Sequence, residues 1–517
     1  MRVDRRNCPR AVFVPVSAVL CLTVLGGCSI GPRYHAPSPP IVTRYTERPQ
    51  PAATIAPGGA AGSAQHFHYG LSPKVRWWSA FHSQALDDLI AAALRHNPSL
   101  DISRARLRQA RAAVMADEGI FYPQVNASLG AERQKTSQSL PGAHPPAIYS
   151  LYTGGLSVSY YPDVFGVNRL VYNSAEAQAR FQRDQLLAAQ LAVIGNVATT
   201  AIQVASYRTQ VAATNQIIQG ETSLLALTKL QYRAGAVPYL SVVNQEAQLA
   251  TSKASLPALL QQLAVSRYAL AVLVGQFPAQ WRPVRLRLAD FYLPRHLPVS
   301  LPSVLVKERP DIRAATEQLR YANAEVGIAD AQFYPTVQLT AAFGQESATP
   351  ASFFNNASNV WNVAGSLLAP LFHGGTLRAQ RREALALYAG ARATYRQTVL
   401  GAFQQVAGVL RALTHDAQAL SDERDAYRAA REALHIAKES YRAGAIDSLS
   451  LLTTEAQYNQ ARIAYVRAKA QRYLDTVALY MAIGGGQLPS KQLLLGPPKT
   501  PASLALDSIA TPQRNAS

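Results

Sequence analysis

Cysteine is nearly absent from this chain: three occur in 517 residues, at positions 8, 21 and 28. So few, all near the start, exclude a disulfide scaffold and a Cys-rich metal site. The ten histidines are scattered, with no His-Glu-x-x-His pair and no Cys/His cluster. Gly154-Gly155 and Gly484-Gly485-Gly486 lack a phosphate-loop lysine. An enzyme is not expected, and neither is a cofactor or a metal. Acidic residues are also in short supply, 31 against 50 basic ones, for a formal charge of +19. No nucleic-acid recognition fold or aromatic platform accompanies that surplus, which reads as a basic surface suited to anionic partners. At 48% hydrophobic the chain is neither a multi-span helical membrane protein nor a disordered one.

What is present begins with an export signal. Arg2, Arg5, Arg6 and Arg10 precede an apolar run over residues 11–25, which leads into Leu25-Gly26-Gly27-Cys28. The run is too short to span a bilayer and fits a signal h-region. Its ending resembles the bacterial lipobox, in which the cysteine, here Cys28, receives diacylglycerol, becomes the first residue and is N-acylated. Cys8 and Cys21 leave with the signal, as do four Arg and one Asp, so the charge falls from +19 to about +16. Several acyl chains anchor durably where one does not. Ser29 stands where an aspartate would favour inner-membrane retention in that class, which implies passage to the outer membrane.

The remainder is one long unit written twice. Asn97-Pro98 and Phe121-Tyr122-Pro123 return as Arg309-Pro310 and Phe333-Tyr334-Pro335, at an offset of 212. Tyr232-Arg233-Ala234-Gly235, Leu240 and Glu246 return as Tyr441-Arg442-Ala443-Gly444, Leu449 and Glu455, at an offset of 209. Within each half a helix starts at Pro98 or Pro310, with Asn97 a good N-cap and Arg309 a poor one. Two alternating segments follow, then a very long helical stretch and a returning helix begun by Pro238 or Asp447. Gly166 to Gly235 and Gly375 to Gly444 are each 69 residues apart. One continuous helix of that length reaches roughly 100 Å. Leu187, Leu191, Ile194, Ala198, Ala201 and Ala205 recur at helical spacing, an alanine-rich seam that favours a multi-helix wall.

The alternating segments set Val125, Ala127 and Leu129 against Asn126, Ser128 and Gly130, and Leu156 and Val158 against Ser157 and Ser159. Val337, Leu339, Ala341 and Phe343 form a third apolar set, and Trp361, Val363, Gly365 and Leu367 a noisier fourth. A soluble sandwich shows the same period of two. In an exported lipoprotein, however, such strands suit an outer-membrane barrel, which must close to satisfy its backbone. Four strands are too few for one chain to close alone. Two chains or three would supply enough, and the residues leave that choice open. The segments over residues 132–150 and 345–358 read as the loops between paired strands.

Taken together, these stretches resemble the outer-membrane factor family of Gram-negative efflux systems, in its lipoprotein branch linked to resistance–nodulation–division transporters. The likeness rests on Trp77-Trp78, Phe81, Leu86-Asp87, Asn97-Pro98-Ser99-Leu100, and Tyr161-Pro162-Asp163-Val164-Phe165-Gly166. It continues through Arg309-Pro310-Asp311-Ile312-Arg313-Ala314-Ala315, Pro370-Leu371-Phe372, Gly374-Gly375 and the two Tyr-Arg-Ala-Gly turns. Thr316 intervenes before Glu317, so no family role is carried over to that glutamate.

The resemblance implies a mainly α chain with a small β part, acting as a homotrimer: a twelve-stranded transmembrane β-barrel continued by a long periplasmic α-helical tunnel. It implies a passive, gated duct for drugs or other small molecules in transit. The duct would sit in outer-membrane lipid and meet a periplasmic adaptor protein and an inner-membrane efflux transporter. A duct for protein secretion or metal-ion export is the alternative within transport, and a lipid-anchored structural coiled-coil protein the alternative outside it.

On this reading the chain divides into a signal peptide (1–27), a lipidated and belt segment (28–96), a first repeat (97–275), a linker (276–308), a second repeat (309–483) and a partly disordered tail (484–517). Adaptor contact and gate are expected near Tyr232, Arg233, Gly235, Tyr441, Arg442, Gly444 and Asp447, with Asp447 also a plausible cap. Pro162, Gly166, Pro370, Gly374 and Gly375 are expected to redirect strands into helices. Trp77 and Trp78 are expected in a core or interface.

Overall fold

The computed structural model describes residues 30–38, 40–59, 61–135 and 148–486. Cys28 and Ser29, with the lipid-anchor expectation, lie outside those residues, as does the tail beyond Gly486. Strand β1 (His66–Tyr69) precedes α1 (Gln84–His96) and α2 (Pro98–Glu118), then β2 (Gln124–Lys135), β3 (Ile148–Tyr160), α3 (Val167–Arg233) and α4 (Tyr239–Leu273). Strand β4 (His296–Val299) and α5 (Pro302–Glu308) lead to α6 (Pro310–Ala331), β5 (Thr336–Ser347), β6 (Asn359–Leu368), α7 (Thr376–Arg442) and α8 (Ser448–Ala482). The duplication is visible in the lengths: both long helices have 67 residues and both return helices 35. Asn97 caps α2 as expected, its Oδ1 accepting the Ser99 amide at 2.9 Å.

The chain packs as two compact units, neither of them contiguous. The first comprises the described residues up to Ala36, with Arg108–Phe181 and Thr316–Thr394. It holds an antiparallel sheet in the order β2-β3-β5-β6. The register lines up like with like. Ala127, Leu156, Phe343 and Trp361 form one row across the sheet, and Val125, Val158, Ala341 and Val363 the next. Asn126, Ser157, Ala342 and Asn362 form a row on the opposite face. Because the pleat has a period of two, one slip of register would mix these faces.

Among the described residues much of the apolar face is left open. Leu129 is 86% exposed, Trp361 75%, Val363 74% and Phe343 60%. The strands also run further than the alternation suggests. β2 continues through Glu132–Lys135 and β3 begins at Ile148, so part of the expected loop is ladder, and Gln134 meets the Tyr149 hydroxyl there. Hydropathy marks where a strand meets an apolar medium, whereas backbone pairing extends it beyond. Elsewhere in this unit the first described residues lie on α6. Pro32 O accepts from Asn323 at 3.0 Å, and Arg320 stacks over Tyr34 at 4.8 Å. A Cβ on Gly31 would stand 2.7 Å from the Gly327 Cα, so this approach requires glycine on both sides.

The second unit comprises Pro37–Leu107, Gln182–Ala315 and the chain from Tyr395 onward. Its core joins Trp77, Phe81, Leu86 and Ile90 to the middle of the helices: Val197 and Ile202 of α3, Leu270 of α4, Val406 and Leu413 of α7, Val477 of α8. The alanine seam is buried from Ile194 to Ala205, while Leu187 and Leu191 are half-buried. Trp77 stacks on Tyr480 at 4.9 Å and 12°, as suits a core role. Such a pair adds roughly 0.5–1.5 kcal/mol beyond its area burial.

The Pro-rich segment before β1 packs against this body. Tyr45 OH donates to Ser300 O at 2.7 Å, and the fully buried Arg472 reaches Gln65 Oε1 at 2.8 Å.

The side chain of Arg309, the residue before α6, reaches away from the helix start. Nη1 donates to Ala482 O at 2.7 Å, Nη2 to Gln405 Oε1 at 2.9 Å, and the guanidinium grips Asp311 at 2.7 and 3.0 Å. A buried cation thus closes the carbonyl end of α8, where the helix dipole favours it, and ties α7 to the start of α6. Replacing Arg309 with Met should cost about 1.5–3 kcal/mol, the range for a hydrogen bond to a charged group, with Arg309→Lys losing less. Thermal unfolding by circular dichroism in detergent checks this; an unchanged midpoint for both variants would refute the clamp.

Candidate functional site

The two helix reversals that the repeat predicts are built alike. The amide of Gly235 donates to Tyr232 O at 2.9 Å and that of Ala236 to Gln231 O at 2.8 Å. In the second copy Gly444 donates to Tyr441 O at 3.1 Å and Ala445 to Ser440 O at 2.8 Å. Each is a Schellman closure, and the glycines sit at φ 75° and 74°, where a side chain would strain. The return helices start differently. Pro238 occupies the N-cap position, one residue before the first helical position that its fixed φ suits, and offers no side-chain acceptor. Asp447 caps the helix, its Oδ1 accepting the Ser450 amide at 2.8 Å, and the Ser450 hydroxyl first, then this amide, hold its carboxyl below the usual range.

The copies diverge in where they point. Tyr232 is exposed and leans on Tyr239 with ring centroids 5.4 Å apart. Tyr441 is buried, and its hydroxyl donates to Gln231 Oε1 of the first long helix at 2.7 Å. Leu434, Ala437 and Leu451 close around it. Ser448 and Ser241 join the starts of the two return helices through a 2.7 Å hydroxyl contact. Arg442 pairs with Glu439 at 2.6 Å, and Arg233 reaches only Lys229 O at 3.4 Å; both guanidinium groups are open to solvent. The two turns therefore form one polar cluster with two outward arginines.

An ion pair is conserved between the copies. Lys229 meets Glu246 at 2.6 Å, and the equivalent Lys438 meets Glu455 at 3.3 Å. Glu246 is half-exposed but Glu455 is buried, and burial raises its pKa. Glu221 of α3 is buried beside it. Its Oε1 accepts from Ser252 at 2.9 Å, Asn459 at 3.0 Å and Gln248 at 3.2 Å, joining three helices. Both carboxylates line a cleft of about 290 Å³ between α3, α7 and α8. Glu221 and Gln231 carry no motif, so the repeat comparison misses them; Glu455 is found only as the match to Glu246.

At the strand-to-helix passages, Pro162 and Gly166 precede α3 and Pro370, Gly374 and Gly375 precede α7, with all three glycines at positive φ. Asp163, between Pro162 and Gly166, caps α3 by accepting the Asn168 amide at 2.9 Å and the Arg169 amide at 3.1 Å. Leu371 and Phe372 are 95% and 89% exposed. Among the described residues, no group of three or more His, Cys, Asp or Glu is arranged to hold a metal.

The Asp447 cap has a checkable consequence. Its contribution is present above the ordinary Asp value and is lost as pH falls through the lowered one. Asp447→Ala should speed hydrogen exchange of the Ser450 amide at neutral pH, while Asp447→Asn, which keeps the acceptor, should not. Equal exchange in all three proteins would remove the capping role.

Comparison with known proteins gives this geometry a family. Over 422 residues the chain is 31% identical to the pyoverdine export outer membrane protein OpmQ of Pseudomonas aeruginosa, covering 81% of this chain and 88% of that one. It is 29% identical to outer membrane protein OprJ of the same species over 486 residues, covering 93% and 97%. Its fold matches the solved outer-membrane channel OprN with a TM-score of 0.79 at 27% identity, covering 89% of this chain and 99% of that one. Residues 89–276 and again 301–485 match the family described as outer membrane efflux protein. Through both repeats, therefore, the chain belongs to the outer membrane efflux protein family and is an outer-membrane component of an efflux pump.

Proposed function

We propose that three copies of this chain close one twelve-stranded barrel, continued by a periplasmic tunnel of long helices, and that the assembly passively conducts small molecules outward. The observation that carries this is the four-stranded sheet. Its apolar face is exposed, and its edge strands β2 and β6 have no strand partner among the described residues. Backbone groups left open at those edges cannot sit in hydrocarbon, so copies of the chain must supply the missing ladder. The relatives export pyoverdine or form antibiotic and solvent pump components by name; we take the cargo here to be small molecules of that breadth.

In this reading Cys28 carries the lipid anchor. The exposed Leu371 and Phe372 set the depth of the barrel, and Pro162, Gly166, Pro370, Gly374 and Gly375 redirect strand into helix. The repeats at 97–275 and 309–483 are the two quasi-equivalent staves each chain contributes. Tyr232, Arg233, Gly235, Arg442 and Gly444 meet a periplasmic adaptor protein, which delivers cargo from an inner-membrane transporter. Tyr441 and Asp447 belong to the closed gate.

Two outcomes test these assignments. Val363→Arg places a charge on the lipid-facing side, at roughly 2–4 kcal/mol near mid-membrane, and should sharply reduce trimer recovered from outer membranes. Ala364→Arg, on the other face, should leave recovery intact; equal loss from both would refute the assigned faces. Tyr441→Phe removes the bond to Gln231 at a cost of about 0.5–1.5 kcal/mol. Single-channel recording should then show the open population rising severalfold, and an unchanged open fraction would detach Tyr441 from the gate.

A further inference from the structure

The cleft beside the tip contains two unsatisfied atoms. Oε2 of Glu221 and Oε2 of Glu455 are both buried, and neither has a hydrogen-bond partner. The residues themselves are 2% and 4% exposed. They are neighbours: Glu455 lies one helical turn before Asn459 on α8, and Asn459 Nδ2 is 3.0 Å from Glu221 Oε1. Two ionised carboxylates side by side in a buried cleft would repel, and each would also carry a bare, dehydrated oxygen.

We infer that Glu221 and Glu455 share one proton across the contact between α3 and α8, and that this proton latches the closed helical tip. The Glu455 carboxyl O–H donates to Oε2 of Glu221, which satisfies both orphan oxygens with one hydrogen bond. When the helices part, water reaches the pair and the proton leaves Glu455 for solvent.

The surroundings decide the sign. From α7 the cleft is faced by Arg431, His435 and Lys438, and from α8 by Tyr458 and Arg462. α4 adds only the amide of Gln248 and the hydroxyl of Ser252. Lys438 pairs with Oε1 of Glu455, and Arg462 is engaged by Gln216, so neither supplies the missing donor. Burial raises the proton affinity of Glu455 above its ordinary range, Lys438 opposes this and Glu221 adds to it. A raised carboxyl pKa stabilises the closed arrangement fully below the ordinary Glu value, and that stabilisation is lost as pH rises through the raised one. The tip should therefore loosen toward alkaline pH. The latch, though not the proton, rests on the gate reading above.

Two measurements on the full-length protein separate those parts. Infrared difference spectroscopy should show a protonated-carboxyl C=O band at neutral pH that vanishes in Glu455→Gln; a spectrum without that band would overturn the shared proton. In planar bilayers the open fraction should rise with increasing pH, by at most about tenfold per unit of pH for each latch proton released. Glu455→Gln keeps a permanent N–H donor toward Glu221, so it should stay closed and lose the pH response, while Glu455→Ala should be loose throughout. A Glu455→Gln channel with the native pH response would overturn the latch. Should Tyr441→Phe also fail to open the pore, the gate reading itself falls, whatever the infrared result.

Discussion

An unpaired strand edge is the constraint on which the rest of this molecule depends. In water an open edge is tolerable because solvent completes its hydrogen bonds; in hydrocarbon each open group costs several kcal/mol. Here β2 and β6 end the sheet while exposed Leu129, Trp361 and Val363 mark the same sheet as one that leaves water. In the proposed assembly the two demands are reconciled because other copies of the chain finish the ladder. Assembly is then a condition of membrane residence rather than a refinement of it. In that assembly the polar rows through Asn126, Ser157 and Asn362 would face whatever the ring encloses.

Duplication supplies two like-built helical hairpins per chain, and they differ in what they bury. The lysine–glutamate pair has survived in both copies, as Lys229–Glu246 and Lys438–Glu455, yet only in the second is the glutamate buried. Likewise Tyr232 faces solvent and Tyr441 is enclosed, although each stands three residues before the same glycine. One motif thus serves as a surface in one copy and as a fastening in the other. In the proposed trimer two kinds of tip alternate around the ring, so that one kind can move while the other stays docked.

How much of this was legible in sequence follows from the range of each interaction. Helix reversals were readable because Gly235 and Gly444 fill a backbone position that excludes side chains. Strands were readable from alternation, but only across the apolar band; the polar ends Glu132–Lys135 pair by backbone and have no hydropathic signature. Arg309 and Glu221 were unreadable in role for a different reason. Their partners, Ala482 O and Asn459, lie 173 and 238 residues away. A charged residue reads as surface until its neighbours are known. The same holds for Asp163, whose capping of α3 was hidden inside a run read as architectural.

The energetic contrast within the second unit explains why the tip rather than the waist should move. At the waist, Trp77, Phe81, Leu86 and the alanine seam form one large buried cluster with stacked aromatics and the Arg309 clamp. At the tip the apolar cluster comprises only Leu434, Ala437, Tyr441 and Leu451. What remains there is polar: the Tyr441–Gln231 and Ser448–Ser241 contacts, the bonds to Glu221 and two lysine–glutamate pairs. Hydrogen bonds of this kind are worth only about 0.5–1.5 kcal/mol each net of water, and exposed ion pairs less. Because water replaces most of them when the helices separate, the tip can open at a cost of a few such bonds, in the low-stability range from which moving elements are drawn. The waist cannot, since parting it would hydrate aromatic and aliphatic surface for which water offers no substitute. This contrast in packing, present before any partner is considered, is what the proposed gate at the tip rests on.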